Sequence, residues 1–213
     1  MLEFIQSGGT VMYILVVLSV IGLALVIERF IVLHRIPSEK VAIGTLERVG
    51  GELTANGVKG AAAFCNKGGG VLNYIFATVL KKHDILTIEE RGEQEMKEEL
   101  TTTVTEAGTR YLGRFLDYIN TIAVIAPLLG LFGTIIGMIV AFGAIAKAGT
   151  GDPQVVASGI RVALLTTAGG LSIAIPLIVL HRYLAARADY AMERLGIYGH
   201  VFVNMLLRRS KSE

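Results

Sequence analysis

The sequence predicts an all-α membrane protein with three transmembrane helices and long cytoplasmic helical extensions. Of its 213 residues, 53% are hydrophobic and only 18% are charged, whereas about a quarter are charged in a typical soluble domain. The mean hydropathy is +0.60. Three windows contain no charged side chain: residues 4–27, 119–146 and 162–180. Because about 20 helical residues span the hydrocarbon core of a bilayer, each window is long enough to cross it.

The composition also argues against several function classes. The formal net charge is only +2, and no basic block occurs before Arg208, Arg209 and Lys211, so a nucleic-acid-binding surface is not expected. The single cysteine cannot form an internal disulfide, and the four histidines are scattered without metal-ligand spacing. We therefore expect no metal and no cofactor. A helical hairpin inside a soluble core is disfavoured, because too few polar residues remain to cover so much apolar surface.

The first window has two interpretations, a cleaved signal peptide or a retained membrane helix. Residues 1–3 offer no positive charge, and the apolar run continues into Glu28 and Arg29 without a small-residue cleavage site. The retained helix is the better interpretation. We assign residues 1–33 to the N-terminal segment and transmembrane helix 1.

The basic residues predict the orientation in the membrane. Eighteen of the twenty flank the same side of the three windows. The exceptions are Lys147, in the short loop 147–153, and Arg161, in the first turns of the third helix. Since positive charge accumulates on the cytoplasmic side, the N-terminus is predicted to lie outside. The middle segment 34–118 and the C-terminus are then cytoplasmic.

The segment 34–118 is predicted to be helical. Thr87 and Glu90 fit a capping box, and apolar residues follow at spacings of three and four. These residues are Met96, Leu100, Val104, Ala107, Tyr111, Phe115 and Tyr118. The pattern predicts one amphipathic helix that starts at residue 87 and continues unbroken into the second transmembrane helix.

Two polar features of this segment have ordinary structural interpretations. Six glutamates between residues 89 and 99 spread around the helix axis, which favours a solvated face over a metal site. The glycine-rich segment 66–70 lacks a Gly-Lys-Ser/Thr ending and a preceding strand, so a turn between helices is expected rather than a phosphate loop.

The third apolar helix is expected to continue into the C-terminal region. Tyr190, Leu195 and Phe202 are available there for packing. With transmembrane helices 2 and 3 at 119–183, the remaining region is a cytoplasmic helix and tail at 184–213.

Each of the last two transmembrane helices carries a stripe of small residues with one threonine near its middle. The stripes are Gly130, Thr134, Gly137, Ala141 and Ala144, and Gly159, Ala163, Thr167, Gly170 and Ala174. Two interpretations remain open: close helix packing, or the lining of one channel or cavity. In the second, Thr134, Thr167 and Thr166 form its polar ring. Pro127 and Pro176 are expected to bend these helices.

No side chain that titrates near neutral pH lies at the centre of any predicted span. Threonine does not ionise there, although its hydroxyl can hold water or hydrogen-bond to a titrating group. An ion pathway would therefore require a partner helix that carries a carboxylate, and three helices alone cannot enclose a pore. Arg161 lies roughly opposite the stripe, which favours snorkelling or ion pairing over a place in the ion path.

Two segments resemble the signatures of a known family. Residues 126–134 (Ala-Pro-Leu-Leu-Gly-Leu-Phe-Gly-Thr), with Gly137 and Met138, resemble the second-helix signature of the ExbB/TolQ proton-channel proteins, distant relatives of MotA. Residues 159–160, 163–168, 170–171 and 174–176 resemble the third-helix signature. Length, helix number and the large first cytoplasmic loop also match, whereas MotA has four membrane helices and a larger loop.

The resemblance implies a bacterial inner-membrane pentamer around two copies of a single-span ExbD/TolR-like partner that carries a membrane aspartate. Thr134 and Thr167 correspond to the threonines facing that aspartate. Proton-motive force would drive work on a TonB-type, Tol-Pal-type or motility apparatus. Family members commonly have glutamate two residues after the Gly-Ile of the third helix, where this sequence has Val162.

Two other function classes compete with a non-enzymatic channel or motor subunit. A passive membrane scaffold for partner helices would need no ion conduction and remains the alternative. An intramembrane enzyme is disfavoured, because no Ser-His, paired Asp or His-Glu constellation lies within the predicted spans.

Overall fold

The structure, a computed structural model, describes residues 9–148 and 153–210. The regular elements in that part are α-helices, in the order α1 (Gly9–His34), α2 (Glu39–Lys67), α3 (Val71–Ile88), α4 (Glu93–Leu112), α5 (Leu116–Ala148) and α6 (Pro153–Ser210). Residues 1–8, most of the predicted loop 147–153 and the end of the tail lie outside the described residues.

Three of these helices are long and apolar enough to cross a membrane by length and composition: Gly9–His34, Leu116–Ala146 and Val156–Arg209. They contain the described parts of the three charge-free windows, so the chain is a multi-pass membrane protein whose regular elements, in the described residues, are helices. Helix α6 runs on to Ser210, which confirms that the tail continues the third helix. Leu195 and Phe202 are buried there, whereas Tyr190 is 60% exposed and has the Arg194 guanidinium 5.7 Å from its ring centroid.

The described residues form two compact units. The first comprises the described part of Met1–Arg29 together with Phe115–Leu184, and the second comprises Phe30–Arg114 with the described part of Ala185–Glu213. In the first unit, a buried cluster joins α1 to α5 and α6 through Met12, Leu15, Ala126 and Ala174. In the second, Phe76 of α3 packs on Phe202 of α6 with ring centroids 4.5 Å apart.

The predicted helix start at Thr87 is wrong. Helix α3 extends to Ile88, and the Thr87 hydroxyl donates to the carbonyl oxygen of His83 at 2.9 Å. The hydroxyl is thus used by its own helix, whose buried Leu86 anchors this last turn. Helix α4 begins instead at Glu93, after a connection in which Glu90 has φ 54°.

The predicted continuity between the amphipathic helix and the second membrane helix is also wrong. Helix α4 ends at Leu112, α5 begins at Leu116, and Phe115 between them has φ 68°. Up to the break, the expected positions from Met96 to Ala107 are buried. Beyond it, Leu116 and Ile119 are buried while Tyr118 is 64% exposed, because the break changes which side of the chain faces the interior.

Two further predictions for this region are confirmed: the turn at the glycine-rich segment and the solvated surface formed by the glutamates. Residues 68–70 of the glycine-rich segment 66–70 form the turn between the end of α2 at Lys67 and the start of α3 at Val71. The glutamates lie on an exposed surface, where Glu99 pairs with Lys82 at 2.7 Å and Glu95 pairs with Arg91. Within the described residues, no group of His, Cys, Asp and Glu is arranged to hold a metal ion.

Candidate functional site

The two small-residue stripes of α5 and α6 face each other within one chain. Gly130, Gly137, Ala141, Ala163, Gly170 and Ala174 are all buried. A Cβ atom built on Gly137 would lie 2.9 Å from the Gly159 carbonyl oxygen, and one built on Gly170 would lie 2.5 Å from that of Ala126. The backbones are therefore in direct contact, which is the close packing that small residues provide in membranes.

Thr134 and Thr167 meet at this contact. Their Oγ1 atoms are 2.5 Å apart, although the residues are 33 positions apart in the chain. The Gly130 carbonyl oxygen lies 3.1 Å from the Thr134 hydroxyl and 3.2 Å from that of Thr167. The Ala163 carbonyl oxygen lies 3.2 Å from the Thr134 hydroxyl. Both threonines are half-buried, so the pair lies at the edge of the helix contact.

The hydrogen bond between the two hydroxyls can run in either direction. Each hydroxyl has one proton to donate and can accept a bond from the other. When Thr167 donates to Thr134, Thr134 donates to the carbonyl of Gly130 or Ala163. When Thr134 donates to Thr167, Thr167 donates to the Gly130 carbonyl. Both arrangements satisfy both hydroxyls, so the pair is a short reversible hydrogen-bonded chain.

Thr166 has a different environment from this pair. It is fully buried, and its hydroxyl donates to the Ala163 carbonyl oxygen at 2.8 Å. A Cβ atom on Gly133 would lie 2.5 Å from this hydroxyl, so Thr166 fills the space that this glycine leaves. The structure brings Thr134 and Thr167 together and places Thr166 beside them, connected through the shared Ala163 carbonyl.

The two prolines lie inside the membrane helices. Pro127 falls within α5 and Pro176 within α6. Pro127 is half-buried and Pro176 is exposed. The bends predicted at these positions remain predictions.

An adjoining cavity of about 550 Å³ lies between the first described turns of α1, the middle of α5 and the first turns of α6. Val162 lines it together with Thr10, Gln154 and Ser158, while Arg161 is exposed. The position at which the resemblance implies a glutamate is therefore apolar and faces this cavity. Arg161 lies off the buried stripe, as its position on the helix predicts.

One structural pairing was not anticipated from the sequence. Arg29, which the sequence marks only as a basic residue flanking the first span, is 3% exposed. Its Nε and Nη2 atoms donate to the two carboxylate oxygens of Glu28 at 2.6 and 2.7 Å, and its guanidinium lies 5.5 Å from the Phe115 ring centroid. Adjacent helical residues do not normally face each other, so their spacing gave no signal for this pair.

The fold and site together define a class of protein: a multi-pass helical membrane protein with paired threonines at a close contact between two apolar helices. Comparison with known proteins identifies the family. The family model described as the MotA/TolQ/ExbB proton channel family matches residues 69–196. The chain belongs to this family.

Individual relatives agree with the family match. The chain is 28% identical over 197 residues to an ExbB homologue of Methanothermobacter thermautotrophicus, covering 92% of this chain and 67% of that protein. It is 41% identical over 102 residues to the biopolymer transport protein ExbB of Salmonella typhimurium, covering 48% of this chain and 41% of the relative. The Tol-Pal system protein TolQ of Haemophilus influenzae is 35% identical over 95 residues, covering 45% and 42%. The matched region thus spans less than half of the last two relatives.

Proposed function

We propose that this chain is the channel-forming subunit of an inner-membrane complex of the ExbB/TolQ type. With an ExbD/TolR-like single-span partner, it converts proton-motive force into mechanical work on a periplasmic or outer-membrane apparatus, of the TonB, Tol-Pal or motility type. It has no enzymatic activity of its own. The observation that carries the proposal is the hydrogen-bonded pair Thr134–Thr167, between two helices whose central segments contain no titrating group.

The hydroxyl pair suits a site that hydrogen-bonds to a carboxyl group in both of its protonation states and does not itself ionise. A charged side chain inside a membrane is costly and normally serves a function, so a membrane aspartate needs polar partners. The half-buried threonines present hydroxyls that either donate to a carboxylate or accept from a carboxylic acid. Reversal of the bond between them switches these two states without moving the backbone.

The small residues and the threonines have complementary roles in this proposal. Gly130, Gly137 and Ala163 allow the backbones to approach, which brings the hydroxyls within hydrogen-bonding distance. The edge of this contact, where the half-buried threonines lie, then lines the path. Because three helices cannot enclose a pore, the path requires several copies, and we propose five copies around two partner helices.

The apolar outer faces of this chain support both assembly and insertion in the lipid bilayer. Large exposed side chains on all three membrane helices include Val17, Val20, Leu128, Ile139, Leu164 and Val179. We propose that the N-terminus lies outside and residues 34–118 lie in the cytoplasm, because the basic residues concentrate on that side.

A double substitution, Thr134→Val with Thr167→Val, tests the proposal. Valine keeps the branched shape and removes the hydroxyl. The variant should lose energised work in cells while its complex with the partner remains assembled by co-purification. Thr121→Val is the matched control, because the Thr121 side chain is exposed and its hydroxyl donates to the Asp117 carbonyl oxygen of its own helix at 2.8 Å.

The same cells distinguish the proposal from a passive scaffold. An uncoupler should abolish the activity of the wild-type complex if that activity depends on proton-motive force. Activity that survives both the uncoupler and the double valine substitution would favour the scaffold.

A further inference from the structure

A second site lies in the second unit and shares no residue with the threonine pair. It is a cavity of about 410 Å³ between α2, α3 and the end of α6. Its lining residues are Val58, Lys59, His83, Asp84, Thr87, Ile88, Leu206 and Arg209. We propose that this cavity binds a small oxyanion of the phosphate type, held by Lys59, His83 and Arg209.

His83 is the residue that points to a ligand. It is only 6% exposed, and within the described part of the chain neither ring nitrogen has a hydrogen-bond partner. The nearest acidic atom, Asp84 Oδ1, is 4.0 Å from Nδ1, which is beyond hydrogen-bond range. Buried polar atoms normally have a hydrogen-bond partner in the protein, in ordered water or in a bound ion. We therefore expect the imidazole to hydrogen-bond to a group bound in the cavity that it lines.

The charges around the cavity favour an anion as that partner. Lys59 of α2 and Arg209 of α6 contribute two positive charges, and Asp84 of α3 contributes one negative charge. The lining therefore has a net positive charge before His83 is counted. Lys59, His83 and Arg209 line the cavity from three helices, and a tetrahedral oxyanion can accept hydrogen bonds from the ammonium, imidazole and guanidinium groups.

The protonation state of His83 should report on binding. Burial lowers the pKa of His83, and the Asp84 carboxylate opposes that shift without reversing it. Lys59 and Arg209 line the same cavity, and with its pKa below the ordinary value of 6.5 the ring is mainly neutral at pH 7 before an anion binds. An anion in the cavity favours the charged ring, and phosphate binding should therefore be accompanied by proton uptake at His83.

The test uses the full chain in neutral detergent, with 13C-labelled histidine observed by NMR at pH 7. His83 is one of four histidines, and the signal that disappears in His83→Gln assigns it. Inorganic phosphate is titrated against chloride at constant ionic strength. We expect a saturable shift of the His83 signal toward the imidazolium with phosphate only, accompanied by an increase in the melting temperature.

Two matched lysine substitutions decide whether the cavity is responsible. Lys59→Gln removes a charge from the lining at an exposed position, so folding is expected to persist. It should weaken the apparent phosphate affinity about fivefold to tenfold. Lys67→Gln removes the same charge from the same helix outside the lining and should leave the affinity unchanged.

The proposal fails if His83 responds equally to chloride, does not respond to phosphate, or responds to phosphate identically in the Lys59→Gln variant. A parallel sample in phosphatidylglycerol nanodiscs without inorganic phosphate identifies the source of the ligand. A His83 response there assigns the phosphate group to a lipid headgroup, and a response confined to the phosphate titration assigns it to the free ion. These results are independent of proton conduction.

Discussion

The Thr134 hydroxyl bonds with Thr167 Oγ1 and also lies within reach of two carbonyl oxygens, those of Gly130 and Ala163. A serine at position 134 keeps this hydroxyl but loses the methyl group. We expect Thr134→Ser to retain most energised activity and Thr134→Val to lose at least about tenfold, because the valine cannot donate or accept. Equal activity of the two variants, at equal complex levels, would mean that the hydroxyl is not used.

Cys65 is a buried thiol rather than a reactive one. Its side chain is 2% exposed, and burial raises its pKa to about 11. The thiolate is the reactive species, so maleimide should label the folded protein slowly at pH 8. Unfolding in detergent should accelerate labelling by about tenfold or more. Rapid labelling of the folded chain would show that α2 opens readily at this position.

The contact between α5 and α6 depends on glycine at specific positions. Because a Cβ atom at Gly170 would lie 2.5 Å from the Ala126 carbonyl oxygen, Gly170→Ala must push the backbones apart. We expect a loss of about 1–3 kcal/mol in the free energy of unfolding, measured by denaturant titration in detergent. Gly143→Ala is the control, since a Cβ atom at Gly143 would meet nothing within 4 Å and alanine favours the helix.

If Gly170→Ala and Gly143→Ala are equally stable, the close approach of the two backbones is not a real constraint on the fold. The Gly170→Ala variant should also weaken the bond between Thr134 and Thr167, so its activity and stability should fall together.

Helices α3 and α4 are linked by an ion pair that responds to pH. The Lys82 ammonium is 2.7 Å from Glu99 Oε1, and this hydrogen bond lowers the pKa of Glu99 from its ordinary value of 4.5. The carboxylate is favoured in the folded state, so its contribution is present above pH 4.5 and is lost as the pH falls through the lower folded-state pKa. Thermal melts should show a slightly weaker acid destabilisation in Glu99→Gln than in wild type.

The effect at Glu99 should be small, because the pair is exposed to solvent. Glu106→Gln, at another exposed position of α4, should leave the acid response unchanged. An identical acid response in wild type and Glu99→Gln would mean that the pair contributes nothing measurable.

The helices differ in how well local pattern predicts them. The membrane helices α1, α5 and α6 are predictable because charge is excluded from lipid over a length that the bilayer sets. The boundaries of the helices in residues 34–118 are less predictable. The Thr87 hydroxyl can cap a following helix or bond to a carbonyl oxygen of its own helix, and the packing of α3 determines which of the two occurs. Likewise, nothing in the spacing of Phe115 and Tyr118 indicates a positive φ at Phe115, since that depends on contacts such as the one with Arg29.

The candidate site likewise has a part that the sequence predicts and a part that depends on the folded structure. Stripe spacing predicts that small residues and threonines share a face, but it does not say which stripe meets which. Three features depend on residues that are distant in the chain. They are the contact between Thr134 and Thr167, the burial of Thr166, and the two ring nitrogens of His83 that have no hydrogen-bond partner within the described residues. Tertiary contacts of this kind produce no periodic pattern of residue types in the local sequence.

The proposed complex would supply two things that one chain lacks. The three membrane helices leave large apolar faces exposed and contribute no titrating group to the centre of the predicted spans. Copies of the chain and a carboxylate-bearing partner would supply the enclosure and the proton carrier. The chain reconstituted alone should therefore conduct no protons above the lipid background.

Proton flux into proteoliposomes with an imposed gradient is the most direct measurement, made on the complex of this chain with the proposed single-span partner. We predict that the wild-type complex conducts protons, that the Thr121→Val complex conducts equally, and that the double variant Thr134→Val, Thr167→Val falls at least about tenfold while remaining assembled. Undiminished flux in the double variant, or equal flux from the chain without its partner, would contradict the account.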